Sequence, residues 1–314
     1  MRGVSTPAAA GVFICAAALL AGCAATQGSG LLERHPAGLP AAAEIAEAPF
    51  FAQEDYQCGP AALAMTLVHA GRAATPDSLL PQVYLPARKG SLQAEMLATA
   101  RRHDLVAYPL APRVEDLLRE LAAGTPVVVL QNLALDWAPQ WHYAVAIGYD
   151  LDARQVVLRS GVTRRLTMAL DTFERTWARS GHWAMLALPA DRLPATATEA
   201  TYVSAVASLE RIAPAAARRG YETALVRWPQ SAAARIGLGN ASYAMRDLPA
   251  AASAYQRATQ DHPAAADAWN NLAQVLHELG SRDAALAAAR RAVSLGGPRQ
   301  SAYRETLEGI LRSP

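Results

Sequence analysis

The chain has 314 residues, 52% of them hydrophobic, and a formal net charge of +2. That length holds two domains, and the charge balance, without a Lys/Arg-rich patch or an aromatic stacking platform, leaves no electrostatic case for nucleic-acid binding. No Gly-rich phosphate loop and no cysteine–histidine cluster of zinc spacing appears, so neither a cofactor nor a metal is expected.

The N-terminal stretch MRGVSTPAAAGVFICAAALLAGCAATQ carries Arg2, an apolar run from Ala8 to Ala21, and then Gly22-Cys23. Such a run is too short to span a bilayer as a mature helix and reads as a signal peptide. The ending Leu20-Ala21-Gly22-Cys23 resembles a bacterial lipobox. That resemblance implies removal of residues 1–22, lipidation at Cys23, and a tether over 23–45 holding the protein to the cell envelope. Ala24, where inner-membrane lipoproteins often have Asp, favours the outer membrane, facing the periplasm. An ordinary secretory signal or an uncleaved anchor are the alternatives.

Processing at Cys23 discards Cys15 and consumes the Cys23 thiol, which leaves Cys58 as the free thiol of the mature chain. Structural cysteines of exported proteins usually come in pairs, so an unpaired one is a candidate nucleophile or sensor. A buried cysteine acting as a small hydrophobe is the alternative. Gly59-Pro60 and the helix-forming run AALAMTLVHAG follow, with Gly71 as a stop, so Cys58 falls at a helix N-terminus. Unpaired amides and the helix dipole there are expected to lower the thiol pKa.

PDSLLPQVY, GSLQAEMLATARRHD (starting at Gly90-Ser91) and RVEDLLRELAAG (closed by Gly124) read as helices. TPVVVLQNL, HYAVAIGYD, QVVLRS and HWAMLALP read as strands. A thiol-bearing helix on an antiparallel sheet is α+β. Of seven histidines, His142 opens the strand QWHYAVAIGYD and is the candidate base; His69 and His103 fall near helix ends, where histidines commonly cap carbonyls. Asp150 and Asp152 read as hairpin-turn residues. Trp137, Trp141 and Trp183 line either a cleft or the core, and the core is favoured for Trp183.

The motifs FFAQEDYQCGPAA and WHYAVAIGYD, within 46–190, resemble the papain-fold cysteine peptidases that cut after double-glycine leaders of bacteriocins. They are more similar still to the stand-alone relatives of those enzymes in bacterial envelopes. The resemblance implies a nucleophile at Cys58, a base at His142 and an oxyanion donor at Gln53, with Gln57 a weaker candidate for that donor. The family's orienting acid would fall at Ser160-Gly161, where a serine adds no negative charge. The substrate would be a peptide or protein.

Residues 191–200 form a Pro/Ala/Thr linker, and 201–314 turn alanine-rich with a spacing of 34. Trp228-Pro229 recurs as His262-Pro263, Ala217 as Ala251 and Ala285, and Tyr221 as Tyr255. This period resembles tetratricopeptide repeats: a degenerate first repeat, two good ones and a capping helix, SAYRETLEGILR. They imply a surface for a partner protein. Three functions are consistent with this reading: a lipid-anchored thiol peptidase, a catalytically silent binding lipoprotein of the same fold, or a thiol acyltransferase or amidase.

Overall fold

The structure, a computed structural model, describes residues 27–28, 30, 36–53 and 57–313. Cys15, the lipobox and Cys23 lie outside the described residues. The first domain is α+β, as expected. Its helices are α1 (Cys58–His69), α2 (Pro76–Val83), α3 (Gln93–Arg102), α4 (Val114–Ala122) and α5 (Leu170–Ala178). Its strands are β1 (Ala42–Glu44), β2 (Tyr84–Leu85), β3 (Gly90–Ser91), β4 (Val106–Pro109), β5 (Val127–Asn132), β6 (Trp141–Asp150), β7 (Gln155–Ser160), β8 (Thr163–Ala169) and β9 (Ala184–Leu188).

One antiparallel sheet runs β4-β9-β5-β6-β7-β8, with β1 added to β6 beyond the end of β5. β5 is buried along its whole length and β6 over Tyr143–Tyr149, which explains their unbroken apolar runs. α1 packs on β6, β5 and β9. It is buried from Gly59 to Leu67, so it has no polar face to present.

Three details differ from the sequence expectations. Gly90–Ser91 does not open a helix but pairs with Tyr84–Leu85 as a two-stranded hairpin. Residues expected as tether belong to the domain: Ala42–Glu44 form β1, and the backbone amides of Gln27 and Gly28 both donate to the buried Glu174 carboxylate. β8 and α5 went unanticipated: β8 is an edge strand without a buried stripe, TRRLTMA, whereas α5 does carry an apolar face, burying Leu170, Phe173 and Trp177.

The second domain is helical: α6 (Glu199–Ala207), α7 (Pro214–Arg227), α8 (Ala232–Ala244), α9 (Leu248–Asp261), α10 (Ala266–Glu278), α11 (Arg282–Leu295) and α12 (Gln300–Arg312). Hairpins α8–α9 and α10–α11 start 34 residues apart, and α12 starts at the same interval as the terminal helix. α6 packs on β4, and one hydrophobic core runs from the sheet through Tyr202, Val206, Ala217 and Tyr221 to Ala241. A second core, around Tyr255, Leu272 and Ile310, serves the later repeats. No helix among the described residues is long and apolar enough to cross a membrane.

Candidate active site

Cys58 is the first residue of α1, placed there by Pro60 in the first turn and the helix-forming run behind it. Its sulfur sits among the backbone amides of Cys58, Gly59 and Tyr143. Burial nevertheless prevails and pushes the thiol above its ordinary pKa, with the three amides pulling the other way. The expected lowering by the helix terminus is therefore not the outcome. A charge at a helix end gains at most about 2 kcal/mol, and removing a thiolate from water outweighs that here.

His142 is the second residue of β6. Its Nε2 lies 2.9 Å from Ser160 Oγ, at the end of β7. With Nε2 engaged by the serine, Nδ1 is the nitrogen left for chemistry. Burial lowers the imidazole pKa below its ordinary value and so favours the neutral ring. Cys58 and His142 line the same cleft of about 920 Å³. The β2–β3 hairpin, from Arg88 to Ser91, forms part of its wall, as do Pro139 to Tyr143.

Gln53 also lines the cleft and is buried. Its backbone amide donates to Gly161 O at 3.1 Å. Its side chain accepts from Gly161 N at 3.0 Å and donates from Nε2 to Tyr143 O at 3.2 Å. One amide hydrogen of the side chain remains beyond these bonds. Gln53 thus ties the strand bearing His142 to the turn after Ser160. Gly161 has φ +57°, a left-handed conformation that suits glycine.

The remaining singled-out residues divide between the cleft and other places. Asp150 Oδ1 accepts from Ala153 N at 2.8 Å, as a turn residue does. His69 Nε2 bonds Gly124 O at 3.1 Å. Trp141 lines the cleft and Trp183 packs edge-to-face on Tyr143, whereas Trp137 is 83% exposed.

Three contributors were not anticipated. The Tyr143 amide reaches the thiol because it follows His142 in the chain. Ser91 Oγ is buried and has no hydrogen-bond partner among the described residues; it lies beside Gly59, where an added Cβ would be 2.2 Å from it. Arg159 is buried and donates to the carbonyls of Ala46, Ala48 and Arg164, fixing the segment that leads to Gln53. Its one sequence signal is an arginine inside the apolar strand VVLRS.

Residues 45–185 match the Peptidase_C39 like family and residues 237–302 a tetratricopeptide repeat family. Residues 45–185 are thus a C39-peptidase-like domain and residues 237–302 a tetratricopeptide-repeat region. Among solved structures, one described as a C39-like peptidase from Bacillus anthracis is 19% identical, with a TM-score of 0.40, covering 47% of this chain and 97% of that one. Two structures of MamA, 22% and 25% identical, each have a TM-score of 0.28 and cover 35% of this chain. They are matched over 76% and 68% of their own length. No curated protein matches.

Proposed function

We propose that the protein is a thiol peptidase of the bacterial envelope, held by lipid at Cys23, whose repeats hold a substrate or a partner protein. The observation that carries the reading is the meeting of Cys58 and His142 in one cleft, with His142 Nε2 bonded to Ser160. From a neutral pair, the Cys58 sulfur attacks the scissile carbonyl carbon as its proton passes to His142 Nδ1. The oxyanion takes the Cys58 amide and the remaining Gln53 amide hydrogen. The carbonyl re-forms, the C–N bond breaks, and the amine leaves with the proton from Nδ1. Water then attacks the thioester, giving its proton to the same nitrogen, and the acid departs as the thiol is restored.

The test is acyl-enzyme trapping with a peptide library on the full chain, alongside Cys58→Ala and His142→Ala. Cleaved products lost in both variants, with a Cys58-linked acyl adduct by mass spectrometry, support the reading. Adducts resolved by amines rather than water would mark an acyltransferase. The uncharged orienting residue and the upward push of burial on the thiol pKa motivate the other reading, a silent binding protein. It stands if Cys58 neither acylates nor alkylates faster than a free cysteine.

A further inference from the structure

The loop between β5 and β6, residues 133–140, is a built hairpin. Leu133 N donates to Gln140 O at 2.9 Å and Ala138 N to Leu135 O at 3.0 Å. The buried Asn132 side chain accepts from Ala134 N at 3.1 Å and Gln140 N at 2.9 Å. Arg179, capping α5, donates to Asn132 O at 3.1 Å and Ala134 O at 2.7 Å. Yet this ordered frame shows apolar side chains to solvent: Leu133 is 40% exposed, Leu135 54% and Trp137 83%. None of the three lines the cleft. Exposed apolar side chains clustered on one rigid element mark a contact surface.

The start of the described chain indicates what meets that surface. Gln27 and Gly28 donate their amides to Glu174 on α5, and Gln27 also exchanges side-chain hydrogen bonds with Pro112 O and Val114 N at the start of α4. Glu174 lies midway along α5, whose C-terminal end reaches the hairpin through Arg179. Glu174 is five residues, roughly 7.5 Å along the helix, before Arg179. β4 leads into α4, and Leu110 N, just after β4, donates to Ala184 O, the residue paired with Val129 of β5, so the start of α4 lies toward the end of the sheet where the hairpin leaves. Cys23 precedes Gln27 by four residues, a reach of at most about 14 Å. An acyl chain on Cys23 therefore enters a bilayer within reach of this end of the domain.

We propose that the 133–140 hairpin is a second membrane contact, with Leu133, Leu135 and Trp137 entering the bilayer interface beside the acyl anchor. This rests on the anchoring at Cys23 proposed above. Tryptophan suits that interface, with an apolar ring and one polar N–H. Asp136, 84% exposed on the tip and 3.8 Å from Arg179, fits a zwitterionic surface better than an anionic one. Two contacts on one end orient the domain, and the cleft walled by Pro139 to Tyr143 then opens at the membrane surface.

The experiment reconstitutes the mature full chain in phosphatidylethanolamine-rich vesicles carrying brominated acyl chains, and reads tryptophan quenching. Intact-mass measurement reports the state of Cys23. The expected result is quenching that falls by at least half in Trp137→Phe, which keeps the apolar contact, and as much in Leu133→Ser/Leu135→Ser. Raising the phosphatidylglycerol fraction should not strengthen it. Vesicle-bound, acylated protein whose quenching is the same in Trp137→Phe overturns the hairpin proposal and leaves the anchor standing. A chain without acyl groups but with quenching dependent on Trp137 supports the hairpin and removes the anchor; neither signal overturns both. Trp137 that stays open to aqueous iodide on vesicles, and is shielded only by an added protein, assigns the surface to a protein partner instead.

Discussion

Ser160 sets the electrical character of the dyad. A carboxylate on His142 Nε2 would favour imidazolium and hence a resting thiolate–imidazolium pair; the serine accepts the same hydrogen bond without that bias. Burial then keeps His142 below its ordinary 6.5 and Cys58 above its ordinary value. The base stays unprotonated to lower pH and the thiol protonated to higher pH, so kcat/KM should hold a broad plateau, with its acid limb below pH 6.5. Ser160→Asp should move that limb upward in a pH–rate profile. Ser160→Ala, which removes one orienting hydrogen bond of about 1 kcal/mol, should lower kcat several-fold with KM unchanged. Gly59→Ala tests the tight approach of the β2–β3 hairpin: its Cβ would lie 2.2 Å from Ser91 Oγ and 2.6 Å from Ser91 Cβ. The expected loss, about 1–3 kcal/mol as for other overpacked sites, is read by urea denaturation, and alkylation of Cys58 should change with it. Cys58 and His142, the proposed nucleophile and base, stood out in the sequence because each sits at an element boundary with its own local signal. The setting of Gln53 did not, since its side-chain partners lie 90 and 108 residues away.

At the scale of elements, α8 is held between two tyrosine rings. A Cβ on Gly237 would lie 2.2 Å from the Tyr221 ring, and one on Gly239 2.3 Å from the Tyr255 ring. Alanine is the better helix former by about 1 kcal/mol, yet Gly237→Ala and Gly239→Ala should each destabilise the chain, by about 1–3 kcal/mol. Chemical denaturation of the two variants decides which effect wins. The 34-residue spacing made the repeats visible because every helix pair meets the same packing problem. The edge of the sheet was invisible for the opposite reason. A strand like β8, alternating between half-buried and exposed residues, has no buried stripe to write into the sequence.

At the scale of the molecule, the Pro/Ala/Thr linker is a joint rather than a hinge. Buried Glu120 accepts hydrogen bonds from Ala195 N at 3.2 Å, Thr196 N at 2.8 Å and Thr196 Oγ1 at 2.6 Å. Tyr202 O–H donates to Ala190 O at 3.1 Å. Burial raises the Glu120 pKa above its ordinary 4.5. A carboxyl whose folded pKa is raised contributes stability fully below that ordinary value and loses it as pH rises through the folded one. The wild type should therefore lose stability relative to Glu120→Gln as pH rises from 4.5, in urea titrations of both. Composition identified a linker here but not its clamp, because the carboxylate comes from α4, about 75 residues earlier in the chain.

The core that runs unbroken from the sheet to Ala241 also makes the two domains a ruler. If the repeats hold the substrate, as proposed above, a bound polypeptide can present to Cys58 only residues at a set contour length from its grip. Selection would then follow spacing as much as side chains. Cleavage of a repeat-bound peptide carrying graded Gly/Ser spacers should peak sharply at one length, and a flat response would show that the grip and the cut are uncoupled.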